Sequence, residues 1–214
     1  MDPLFNEIKN TVINGKHADV EALVRNAIDR ELNLEDLIND ALIGAMDVVG
    51  DRFAKSEIFV PEMLVAAMTM KKGLDIIKPL LKDQEAQSRG TVVLCTVKGD
   101  LHDIGKNLVG MMLEGAGFEV IDLGVDVTVE NVVDKVTEIQ PQVLGLSALL
   151  TTTMPEMENV ISVLHARGMR GAVKVMVGGA PLSAEFAQKI GADAFGKDAA
   201  EAVNLARSFI NPQS

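Results

Sequence analysis

The sequence predicts two units of different class: an all-α helical bundle (a cap) over residues 1–82, then an α/β doubly wound parallel five-stranded sheet of flavodoxin/Rossmann-like type over residues 91–214. Three observations carry this. Apolar residues recur at helical spacing through the first unit. The polar stretch LKDQEAQSRG then interrupts the pattern. From Thr91 onward, short β-branched runs alternate with helical segments.

In the first unit the clearest helix follows Asn33, an N-cap with Asp36 in the capping-box position three residues on. Leu34, Leu37, Ile38, Ala41, Leu42, Ala45, Met46, Val49 and Phe53 then follow the i, i+3, i+4, i+7 spacing of one buried face. Val20, Leu23, Val24, Ala27 and Ile28 mark an earlier helix. A later one carries Pro61 in its first turn, where a missing N–H does no harm, and runs through Leu64 and Met68 towards Ile77 and Leu81. Four antiparallel helices with short joints make a small bundle. Residues 83–90, ending in Gly90, read as a linker.

In the second unit TVVLCTV, FEVIDLG, QVLGLSA and VKVMVGG are strands, each followed by a helix. A short fifth strand at 193–195 precedes a terminal helix to about Ile210. Strands that are apolar on both faces and separated by helices belong to a parallel sheet covered on both sides.

Composition excludes several classes. Thirty-one acidic against twenty basic residues give a formal charge of −11, which repels phosphate backbones and favours docking to a basic partner patch. A single cysteine, Cys95, supplies neither an internal disulfide nor a thiolate metal cluster. The absence of Trp and Tyr beside eleven Met indicates an aliphatic core with Met filling gaps. MDPLFNEIKN lacks the basic and apolar regions of a signal peptide, and no apolar run approaches the roughly 18–20 residues of a membrane span, so a cytoplasmic protein is expected.

Ligands of doubly wound sheets bind beyond the carboxyl ends of the strands, and three of those ends carry unusual residues. The first strand is followed by Gly99, Asp100, Leu101, His102, Asp103, Ile104 and Gly105. The third ends at Ser147, before Ala148, Leu149, Leu150 and three threonines; the fourth ends at Gly178, Gly179 and Ala180. A carboxylate two residues before a histidine in an extended loop can reach its ring, fix the tautomer and make the other nitrogen a better metal ligand. Taken alone, such a pair is more often a loop or cap feature. No second His, Cys or carboxylate cluster completes a zinc sphere, so a metal at His102 must bring most of its own ligands, as in a tetrapyrrole-like macrocycle. Gly178 and Gly179 fit either a tight turn or a place where something presses against the backbone. Ser147 alone is an ordinary end-of-strand hydroxyl.

Together, Asp-x-His-x-x-Gly (Asp100, His102, Gly105), Ser-x-Leu (Ser147, Leu149) and the glycine pair resemble the cobalamin-binding module of methionine synthase and the corrinoid proteins of methyltransferase systems for methanol, methylamine, betaine or methoxy-aromatic donors. The helical unit is similar to the cap that precedes the cofactor domain there. The resemblance implies a corrinoid cofactor, cobalamin or methylcobalamin, whose cobalt takes His102 as lower ligand. It implies that Asp100 bonds His102 and that Ser147 continues the relay. Gly99, Leu101, Asp103, Ile104, Gly105, Leu149, Thr151, Asp198 and Ala199 fall on cofactor-lining positions, and Gly178, Gly179 and Ala180 leave room for the nucleotide tail. Phe53 and Val60 match apolar positions that shield the methyl on the upper face. Phe53 fits the core stripe equally well.

The implied function is a methyl carrier between a substrate:corrinoid methyltransferase and an acceptor methyltransferase using tetrahydrofolate or coenzyme M, with a reductive activase as a further partner. The alternatives are a small cobalamin-binding subunit of a radical mutase and a cobalamin-sensing regulator. The first would leave the cap unexpected, and the second needs a basic DNA-reading helix that residues 1–82 lack. A phosphoacceptor receiver needs an aspartate where Ser147 stands.

Overall fold

The computed structural model describes residues 2–80 and 88–210; Leu81 and residues 83–87 of the expected linker lie outside the described residues. Two compact units divide the chain, Met1–Ser88 with Met111–Gly117, and Arg89–Gly110 with Phe118–Ser214.

In the helical unit, α1 (Pro3–Ile13) is capped by Asp2, whose carboxylate accepts from the Leu4 N–H at 2.9 Å. After α2 (His17–Asp29), the Asn33 side chain accepts from the Asp36 N–H at 3.0 Å and starts α3 (Leu34–Asp36), as expected. This helix passes through a π-helical stretch (Leu37–Ile43) into α4 (Gly44–Ala54), a widening that the heptad pattern does not reveal. Hydrogen bonding to i+5 brings residues spaced i, i+4 and i+5 onto one side, and Leu37, Ala41 and Leu42 are all fully buried.

The helix α5 (Val60–Ile77) starts where Glu62 accepts the Phe59 N–H at 2.8 Å, and it ends in a 3₁₀ turn, Lys78–Leu80. Its core stripe is Met63, Ala66, Ala67, Met70 and Ile77, not the expected line through Leu64 and Met68. Leu64 is half-buried and Met68 is 51% exposed, because a position one residue off the stripe is turned about 100° around the helix. The side chains around Gly73 leave no room to spare: a Cβ there would lie 3.1 Å from Leu42 and 3.4 Å from Val20 and Val24.

In the second unit, strands β1 (Thr91–Thr96), β2 (Glu119–Asp122), β3 (Val143–Ser147), β4 (Lys174–Gly178) and β5 (Ala194–Gly196) are all parallel, in the order β2-β1-β3-β4-β5. The connecting helices are α6 (Ile104–Gly115), α7 (Val129–Ile139), α8 (Pro155–Ala166) and α9 (Ala184–Ile190), and α10 (Ala199–Ile210) closes the unit. This is the expected doubly wound sheet. Val93, Cys95, Leu144, Leu146, Val175 and Val177 build one core with Val132, Val133 and Val136 of α7 and Met157, Ile161 and Leu164 of α8. The register aligns the strand ends: Thr96 pairs with Ser147, Ser147 with Gly178, and Gly178 with Gly196, so four strands end level on one rim. Among the described residues, no helix is long and apolar enough to cross a membrane.

At the opposite rim Asp193 ties the start of β5 to the start of β4. It accepts from the Val175 N–H at 2.8 Å, Arg170 at 2.7 Å and Lys174 at 3.2 Å. Burial raises its pKa, but these donors outweigh burial and hold it below the usual carboxylate value. A lowered folded pKa stabilises the fold above the unfolded carboxylate range and is lost as pH falls through the folded value. Asp193→Asn should therefore cost about 1–3 kcal/mol in urea unfolding at neutral pH, and the gap to the parent should shrink as pH falls below about 4.

Candidate functional site at the strand carboxyl ends

The loop from Val97 to Asp103 leaves β1, which lies between β2 and β3 in the sheet. Its Asp100 side chain has no exposed surface, so its charge must be met by donors within the protein. Oδ1 lies 2.7 Å from His102 Nδ1 and accepts the His102 backbone N–H at 3.1 Å. Oδ2 accepts from the Leu149 N–H at 2.8 Å, the Leu150 N–H at 3.2 Å and the Thr153 hydroxyl at 2.7 Å. Burial alone raises the Asp100 pKa; the bonds from Leu149, Thr153 and His102 overcome it and hold the carboxyl well below the usual range.

An ionised Asp100 fixes the imidazole. A carboxylate only accepts, so the proton of neutral His102 resides on Nδ1, and Nε2 carries the lone pair. The His102 side chain is 51% exposed, which leaves Nε2 as the nitrogen a metal can approach. The fully buried Thr96 donates its hydroxyl to the His102 carbonyl at 3.0 Å and so anchors the backbone of the same residue from the end of β1.

The hydroxyl that reaches Asp100 is that of Thr153, not Ser147. Ser147 is the last residue of β3, whereas Thr153 is carried back over Asp100 by the turn after Leu150 and is 6% exposed. The signal available in the sequence was the run of three threonines, from which nothing singles out the third. Thr151 and Thr152, by contrast, are exposed.

The glycine pair divides as well. Gly179 has φ +142°, and a Cβ there would lie 1.8 Å from the Ala148 carbonyl oxygen, so the fold itself requires this glycine through the close approach of the loops after β3 and β4. Gly178 is less constrained, with a Cβ reaching the Gly196 oxygen at 3.2 Å. Ala180 is exposed beside them. Asp198 caps α10 by accepting the Glu201 N–H at 2.8 Å, and Ala199 is buried, so both positions have a structural explanation without a ligand.

Leu101 (72% exposed) and Ile104 (84%), close to His102 in the chain, and Leu149 and Leu150, whose N–H groups meet Asp100, form an exposed apolar collar. Such a cluster on the surface marks a binding face. Gly99 bends at φ +80°, and a Cβ on Gly105 would meet nothing, so the loop presents little bulk next to the imidazole. Asp103 accepts from Asn107 at the start of α6. Lys106 of α6 is buried and paired with Asp122 at the end of β2 and with Asn107, a buried charge that sequence reading did not select. Among the described residues there is no group of three or more His, Cys, Asp or Glu able to hold a metal ion. One outward imidazole nitrogen within an apolar collar suits a metal that brings a flat ring of its own ligands, and no bare ion.

A polar groove of about 500 Å³, lined by His165, Arg170, Lys174 and Asp193 among others, opens at the other rim. Its cations are tied to Asp193 and to backbone carbonyls, and it holds none of the residues around Asp100 and His102. In the helical unit Phe53 is half-buried and Val60 is 42% exposed at the start of α5.

Comparison with known proteins agrees with this chemistry. A family described as "B12 binding domain" matches residues 90–204, and a second with the same description matches residues 4–78. A corrinoid protein of Desulfitobacterium hafniense (strain Y51) is 40% identical over 210 residues, 97% of each chain. Dimethylamine corrinoid protein 1 of Methanosarcina acetivorans is 41% identical over 210 residues, 98% of each. The crystal structure of a methanol:cobalamin methyltransferase complex from Methanosarcina barkeri superposes with a TM-score of 0.90 at 32% identity, covering all of this chain and 81% of that one.

The hydrogen-bond assignment predicts unequal effects in urea unfolding of the protein without cofactor. Thr153→Val should cost about 1–3 kcal/mol, because a buried carboxylate loses a donor, and Ser147→Ala should cost less. Gly179→Ala should cost about 3 kcal/mol or more, exceeding Gly178→Ala.

Proposed function

Because the chain belongs to the B12-binding corrinoid proteins, we propose that it is a methyl carrier that holds its corrinoid on this rim, with His102 as the lower ligand of cobalt. The observation that carries the proposal is the buried, ionised Asp100 locking His102 so that Nε2 faces out of an apolar collar. When bound, the corrinoid supplies a cobalt centre that accepts and gives up a methyl group.

The protein's part is ligation, orientation and exclusion of water. Asp100 Oδ1 holds the proton of His102 on Nδ1, which leaves the Nε2 lone pair as the one that would hold the cobalt. Thr153 and the Leu149 and Leu150 N–H groups keep Asp100 charged, the role that the family resemblance gives to Ser147. Leu101, Ile104, Leu149 and Leu150 form an apolar seat, flanked by Gly99, Asp103, Gly105 and Thr151. Gly178, Ala180, Asp198 and Ala199 line the proposed path of the nucleotide tail. Phe53 and Val60 are the proposed apolar shield for the methyl group, and an apolar shield protects it from water.

The proposed partners are a substrate:corrinoid methyltransferase that loads the methyl group, an acceptor methyltransferase serving tetrahydrofolate or coenzyme M, and a reductive activase. Relatives named for dimethylamine and the complex named for methanol support donors of that small methylated class. A cytoplasmic location is part of the same proposal.

His102→Ala tests the ligand directly. The variant should retain its far-ultraviolet circular dichroism, bind aquocobalamin at least about ten-fold more weakly and lose the imidazole-ligated visible spectrum. An unchanged spectrum and affinity would remove His102 from the cobalt.

A further inference from the structure

The loop that carries Asp100 and His102 is gripped from the neighbouring β2–α7 connection by one residue that the cofactor chemistry does not use. The Asp126 carboxylate accepts the Gly99 N–H at 2.7 Å, and the Asp126 N–H donates to the Asp100 carbonyl at 3.0 Å. Two bonds in opposite senses between one residue and two successive residues of the loop fix both its height and its tilt above the sheet. To make both, Asp126 adopts φ +53°, a left-handed conformation that Asp, Asn and Gly accept far better than other residues. The connection is itself anchored: Val127 donates to the Thr96 carbonyl at 3.1 Å, Thr96 donates to the Gly124 carbonyl at 3.0 Å, and Val97 and Val127 form a parallel bridge. Gly99 has φ +80°, so the loop turns sharply at the point of grip.

We infer that Asp126 is a positioning residue for the metal ligand, acting on His102 through the backbone of Gly99 and Asp100. Asp126 bonds neither His102 nor the Asp100 carboxylate. It sets where the Asp100–His102 pair sits, and therefore where Nε2 is presented. The inference rests on the reading of His102 as a cobalt ligand and adds a residue to it. It also explains why an exposed position should hold an acidic residue in a strained backbone conformation: Gly would supply the conformation without the acceptor, and Ala would supply neither.

Three variants separate these contributions: Asp126→Asn keeps the acceptor and the conformation, Asp126→Gly keeps only the conformation, and Asp126→Ala keeps neither. The first readout is the His102 ring proton, observed by long-range ¹H–¹⁵N NMR on protein without cofactor; the second is aquocobalamin affinity by visible titration. Parent and Asp126→Asn should hold the proton on Nδ1 and agree in affinity within about two-fold, Asp126→Ala should show mixed tautomers and about ten-fold weaker binding, and Asp126→Gly should fall between. A purely structural residue would lower the unfolding midpoint without moving the tautomer, and that result overturns the inference. So does an Asp126→Asn variant as impaired as Asp126→Ala. If Asp126→Ala does not fold, equal affinity and tautomer in Asp126→Asn and Asp126→Gly overturn it, and a deficit confined to Asp126→Gly supports it. Failure of the parent to bind aquocobalamin would overturn the cofactor reading instead, and the tautomer comparison would still decide the role of Asp126.

Discussion

A carboxylate with no exposed surface survives as an anion only if donors surround it, and Asp100 accepts five hydrogen bonds that divide between its two oxygens. One oxygen is given to His102 and the other to the loop after β3. The same group therefore joins two loops that begin on adjacent strands and fixes the chemistry of the histidine between them. Remove the charge and both functions go together: the β3–α8 turn loses its anchor, and the imidazole loses the partner that selects its tautomer. The parallel sheet makes this arrangement possible by ending β1, β3, β4 and β5 at one level.

From that constraint the character of the site follows. The histidine is held by its backbone carbonyl through Thr96, by its backbone N–H and ring nitrogen through Asp100, and by the grip of Asp126 on the residues just before it. A side chain held so firmly on a rigid strand end is preorganised, and little entropy would be lost if it were to ligate a metal. The exposed Leu101, Ile104, Leu149 and Leu150 near His102 offer apolar contact area, and among the described residues no group of three or more His, Cys, Asp or Glu stands ready to hold a metal. On the proposed reading the protein would supply one ligand and an apolar seat, and the remaining reactivity would belong to the cofactor.

Much of this was legible in the sequence, for physical reasons that also mark where legibility ended. The change from helical to strand periodicity at Thr91 and the doubly apolar strands specified the sheet, and Asn33 announced its cap. Asp100 and His102 could be paired because alternate residues of an extended loop share a side. Thr153 could not be chosen over Ser147, since one hydroxyl ends β3 and the other follows it, and only the folded turn decides which one reaches Asp100. Asp126 was invisible because its partner Gly99 lies 27 residues away and because positive φ at a residue other than glycine leaves no pattern. For the glycine pair a tight turn and a close approach to the backbone were both open, and the Ala148 carbonyl by itself accounts for Gly179. On α5, a helix apolar on more than one side, the line read from the sequence passed through Leu64 and Met68, whereas packing buries Met63 and Met70.

The proposed ligation of cobalt by His102 is open to electron paramagnetic resonance of the Co(II) corrinoid on protein labelled with ¹⁵N-histidine, which reads the nitrogen concerned. The chain has three histidines, His17, His102 and His165, and only His102 belongs to this rim. A ¹⁵N nucleus on the axis of the metal splits each cobalt line into a doublet, whereas the unlabelled ¹⁴N base of the cofactor splits it into a triplet. Labelled protein should give the doublet, and labelled His102→Ala should lose it. A triplet that persists on labelled protein would show that the cofactor keeps its own base and that His102 is not the ligand.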